Sequence, residues 1–114
     1  MGWDAYAVHP EFDPNLPEQT PFLTPELEEA FRRAGTSAWL DGLCMGLLHR
    51  ATGIPDYDEG RDDLMWSRET VRKAQASAKW DIALQEWQEP QNLTWTRRLL
   101  DVCASQKLAI WFTW

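Results

Sequence analysis

Only the two ends of this chain read as β-structure, and that limits the folds open to it. "GWDAYAV" at 2–8 alternates loosely and is rich in aromatic and β-compatible residues, and "KLAIWFTW" at 107–114 is more strongly so. Neither strand is stable alone. The simplest arrangement pairs the N- and C-terminal strands on one small sheet, with about four helices packed over one face. The expected class is therefore α+β, mostly helical. At 114 residues (1–114) the chain forms a single domain with one core.

Between the ends the segment "HPEFDPNLPEQTPFLTPE" holds five of the seven prolines. It is predicted to lie extended over the surface, pinned by Phe12, Leu16, Phe22 and Leu23. Thr24 is an N-cap candidate with Pro25 at the first helical position, and that helix should run to Ala34 and stop at Gly35. A second helix is expected from near Ser37, with Leu40, Leu43, Cys44, Leu47, Leu48 and Ala51 on one stripe, ended by Gly53 and Pro55. Gly42 and Gly46 lie one turn apart on a different stripe, which predicts close packing there. Ser67 is a natural cap for a third helix, with Trp66 before it placed to staple onto Val71. Val71, Ala74, Ala78 and Ile82 form one stripe and Trp80, Leu84 and Trp87 another, so the helix is buried on two sides or bends near Lys79. Pro90 ends it. Thr94 caps a fourth helix, with Trp95, Leu99, Val102 and Cys103 facing inward.

Charge narrows the partners. The net charge is −7, and the first 31 residues carry seven acids and no lysine or arginine. The stretch "GIPDYDEGRDDLMWS" at 53–67 adds five more acids against Arg61. A phosphate backbone needs a continuous basic face, so direct nucleic-acid binding is disfavoured. Acid excess steers a protein toward a basic partner. Eight tryptophans are many for this length; most should be core, with one or two left as surface contact anchors.

The acidic turn resembles a calcium loop only faintly. Its glycine falls one place early, and Ser67 stands where a bidentate glutamate is needed. It reads instead as a solvated turn or a contact surface, in which Asp56, Asp58, Glu59, Asp62 and Asp63 meet a partner with Tyr57 and Trp66 as apolar anchors. Glu26, Glu28 and Glu29 form a second acidic patch. Arg68, Arg72, Lys73 and Lys79 form a basic patch, suited to an anion or to pairing with Asp62 or Asp63. His9, His49, Cys44 and Cys103 lack the short paired spacing of a zinc module, and the cysteines read as buried free thiols. No metal, no cofactor and no enzymatic activity are expected. The start "MGWDAYAV" lacks a signal-peptide pattern and no segment is long enough to span a bilayer, so a cytoplasmic monomer or homodimer is expected.

The beginning "MGWDAYAV" and the ending "LLDVCASQKLAIWFTW" resemble the two ends of small bacterial and phage proteins that open with a "GWD-Y-V" strand and close on an "I-F-W" strand. That resemblance covers about a quarter of the chain and implies the paired-termini architecture and a phage or mobile-element setting. In size and acidity the chain is also similar in type to phage-encoded inhibitors of bacterial defence, including anti-CRISPR proteins. Such inhibitors occupy basic nucleic-acid-binding surfaces with carboxylates that stand in for phosphates. The leading expectation is thus a non-enzymatic acidic protein that blocks a basic surface. An immunity or antitoxin protein neutralising a basic toxin, or a small metal-dependent enzyme, are the alternatives.

Overall fold

A computed structural model describes residues 3–16, 23–43, 45–54, 64–86 and 90–113. In chain order the elements are β1 (Trp3–Val8), α1 (Pro25–Arg33), β2 (Trp39–Leu43), α2 (Met45–Thr52), β3 (Leu64–Trp66), α3 (Arg68–Gln75), α4 (Trp80–Glu86), α5 (Pro90–Gln106) and β4 (Ala109–Thr113). The terminal strands do pair: β1 runs antiparallel to β4 from Asp4 opposite Thr113 to Val8 opposite Ala109. They form the centre of a four-stranded antiparallel sheet of order β2-β1-β4-β3, and the fold is α+β.

Strand alternation divides the sheet into two faces. Ala5, Ala7, Ile110 and Phe112 point into the core, where they join Phe31, Val71, Trp80 and Leu99 from the helices. Here α3 lies against β3 and β4, α5 runs along α1, α3 and α4, and α2 rests on α3 and α4. Trp80 brings its polar atom into the core with a partner, its indole N–H donating to the Ala74 carbonyl at 2.8 Å.

The start of α1 follows the expected chemistry. Thr24 caps it, its hydroxyl accepting the Leu27 N–H. At its other end Gly35 takes φ 77°, and the Thr36 N–H returns to the Phe31 carbonyl at 3.0 Å. A Cβ at Gly35 would come within 2.9 Å of the Arg98 guanidinium, which would have to shift aside. Ser67 likewise caps α3, accepting from the Thr70 N–H.

Several expectations are corrected. The helix predicted from Ser37 to Gly53 is instead β2 followed by α2. Leu40 is buried from a strand, opposite Ala5. Gly42 makes no close contact; it takes φ 68° where β2 carries one extra residue against β1, a glycine bulge. The third helix does not bend but breaks into α3 and α4. Ser77 occupies the break, its hydroxyl donating to the Ala51 carbonyl at 2.8 Å and accepting the Lys79 N–H. The stripe predicted through Ala78 and Ile82 is lost with the break, and both are exposed. Pro90 opens α5 rather than closing a helix, which places Thr94 inside α5 and not at its cap. Trp95 faces solvent, 46% exposed, while Leu99, Val102 and Cys103 are buried as expected. Leu16 is exposed rather than pinning. Phe22, Cys44, Pro55 and Trp87 lie outside the described residues.

Candidate partner-binding face

The outer face of the sheet carries a row of large side chains that crosses all four strands. Trp39 on β2 stands opposite Tyr6 on β1, Tyr6 opposite Trp111 on β4, and Trp111 opposite Met65 on β3. Tyr6 stacks on Trp39 with centroids 6.0 Å apart and packs at a tilt of 31° on Trp111 at 5.3 Å. Phe12 extends the row, packing on Trp111 at 5.3 Å. It is delivered by the turns after β1, in which the Phe12 N–H bonds to the His9 carbonyl and the Leu16 N–H to that of Asp13. Each such ring pair contributes about 0.5–1.5 kcal/mol beyond buried area. Trp39 keeps half its surface in water.

Acids accompany this row. Asp4 shares the Tyr6 face of β1 and Asp41 the Trp39 face of β2, by the two-residue period of a strand. At one end a cleft of about 560 Å³ opens beside Tyr6 and Trp39, and Leu23, Glu28 and Arg32 also line it. Arg32 is the one cation among the described residues on that lining, and Glu29 holds it at 2.9 Å.

The predicted site residues divide three ways. Asp56, Tyr57, Asp58, Glu59, Asp62 and Asp63 lie outside the described residues. On α1, Glu26 and Glu28 are exposed, and Glu28 reaches the aromatic cleft. Glu29 is turned inward on its own helix, bridging Arg32 and Arg33. Trp66 is corrected: it is only 6% exposed, and its ring meets Phe112 edge-on at 5.0 Å. Its indole is already used inside the monomer, because β3 pairs with β4 and turns Trp66 to the core side. Trp39, half-exposed on this face, is a candidate contact residue that sequence reasoning missed.

The other candidate chemistry is scattered. Cys103 is buried, and burial pushes its thiol up to about 12, so it stays protonated at neutral pH. His49 Nδ1 donates to the Ile54 carbonyl at 2.6 Å, and His9 is exposed on the turn after β1. Among the described residues no three His, Cys, Asp or Glu side chains cluster as metal ligands. No described helix is long and apolar enough to cross a membrane. Comparison with protein-family models, with curated proteins and with solved structures found no match.

Proposed function

We propose that this chain is a non-enzymatic binding protein whose outer sheet face receives a basic protein surface, and that it thereby blocks a nucleic-acid-binding component of a bacterial defence complex, in the manner of anti-CRISPR proteins. The observation that carries the reading is the pairing of an aromatic row across β2, β1 and β4, continued by Met65 on β3, with Asp4, Asp41 and Glu28. Aromatic rows on open sheets also stack nucleic-acid bases, but those platforms need cations beside them for the phosphates. Here carboxylates stand beside the rings. Rings and carboxylates together suit arginine and lysine side chains, through cation–π contact and charge-assisted hydrogen bonds. The net charge of −7 adds long-range attraction to the same class of partner. Asp56, Asp58, Glu59, Asp62 and Asp63, with Tyr57, are proposed to extend the contact.

The test is affinity capture from host lysate with the tagged protein across a salt series, followed by competition with nucleic acid. The reading expects one basic complex, released as salt rises and displaced by its own DNA or RNA. Capture that ignores both salt and nucleic acid would overturn it.

A further inference from the structure

On the helical side of the molecule a second cleft, of about 480 Å³, opens between α3 and the end of α5. Arg68, Arg72 and Lys107 line it, with Glu69 as the one carboxylate among the described residues. Arg68 and Arg72 are four residues apart on α3, a spacing at which like charges repel. Among the described residues no ion pair engages any of the three cations. Asp101, the nearest acid to this end of α5 in sequence, accepts instead from the Gln75 side-chain amide. Cys103, also on the lining, is held protonated by burial and adds no negative charge. Among the described residues, three cations thus share this concavity with one carboxylate.

An independent feature of the backbone points the same way. Lys107 is the one described non-glycine residue with positive φ, at 58°. It sits just past α5, where the Leu108 N–H returns to the Cys103 carbonyl at 2.9 Å and glycine is the usual occupant. Glycine adopts this conformation freely, whereas lysine is strained there. The strained residue is also the third cation of the cleft. Backbone strain that a glycine would relieve is commonly retained where its side chain has a task.

We infer that this cleft binds a small phosphate, the guanidinium forks of Arg68 and Arg72 and the Lys107 ammonium each donating to its oxygens. Arginine forks match tetrahedral oxyanions two atoms at a time, and lysine supplies a point charge. The occupant is a free small molecule rather than a nucleic-acid backbone, because the net charge of −7 opposes a long polyanion. The cleft shares no residue with the outer sheet face, so the inference does not rest on the proposed function.

Calorimetric titration of the full chain at constant ionic strength tests it, with inorganic phosphate in one arm and adenosine monophosphate in the other. Binding in either arm is expected, and the tighter arm tells free phosphate from a phosphate ester. Arg72→Gln and Lys107→Gly should each weaken that binding about tenfold, one cationic contact being worth about that factor. Lys107→Gly favours the native backbone, so its loss of binding cannot be put down to unfolding; Lys107→Arg should keep the affinity. No saturable binding in either arm up to tens of millimolar, or unchanged affinity in both Arg72→Gln and Lys107→Gly, would overturn the inference.

Discussion

On its inner face the sheet presents Ala5, Ala7, Ile110 and Phe112; one residue along, its outer face presents Asp4, Tyr6, Trp111 and Thr113. Both faces are rich in large apolar groups, yet they differ in what covers them. Helical side chains join the inner side in the core, while the outer side carries rings that pack on one another, with acids beside them. The same two strands therefore supply the core on one side and, on the other, the partly exposed face proposed to meet a partner. Aromatic content alone does not say which side is which. The alternation does, because Ala5 and Ala7 are buried while Asp4 and Tyr6, alternating with them, are not.

The largest expected effect separates the faces by stability. Phe112→Ala should cost about 3–5 kcal/mol in denaturant unfolding, through lost burial and the cavity left against Trp66. Trp39→Ala, at the half-exposed end of the outer row, should cost less, about 1–2 kcal/mol, from one lost ring pair and partial burial. Similar losses for the two would break the comparison. Next comes pH. Cys103 keeps its proton in the folded state up to about 12, against an ordinary 9.0, so the unfolded chain releases that proton first as pH rises. Its contribution is fully present below about pH 9 and is lost through the window up to 12, by about 1.4 kcal/mol per pH unit. Site-resolved alkylation should accordingly find Cys103 unreactive at pH 8 until the protein unfolds.

Binding is affected less in energy but more selectively. Trp39→Ala should weaken the captured partner about tenfold, and Asp4→Lys with Asp41→Lys should flatten the salt dependence while leaving the unfolding midpoint almost unmoved. Unchanged partner affinity in both would return the outer face to a merely stacked surface. The smallest effect sharpens the contrast from the helical side. Lys107→Gly should raise stability by about 0.5 kcal/mol, the left-handed penalty of about 1–2 kcal/mol less the extra chain entropy of glycine.

The elements legible in the sequence were those whose signals are local. Thr24-Pro25, Ser67, Gly35 and the two β-rich ends act within a few residues, and each stands where it was read. The stretch 37–52 misled because Leu40 and Leu48 fit a helical stripe by coincidence, whereas β2 gains its stability from pairing with β1 across the sequence. β3 has three residues, too few to show alternation, so Trp66 at the end of an acidic turn looked exposed. The outer face was nearer to hand than it seemed: the alternation of "WDAYAV" already separates Asp4 and Tyr6 from Ala5 and Ala7. Its completion by Trp39 and Phe12 was not, since both arrive from outside the two predicted strands.

The central claim, that the outer sheet face receives cationic side chains, is tested most directly by nuclear magnetic resonance of the labelled full chain titrated with an arginine-rich peptide at low salt. The account predicts that the Trp39 and Trp111 indole signals and the Tyr6 amide move together and saturate, and that Trp39→Ala reduces the response. Shifts confined to the helices, with those three signals unmoved, would contradict it.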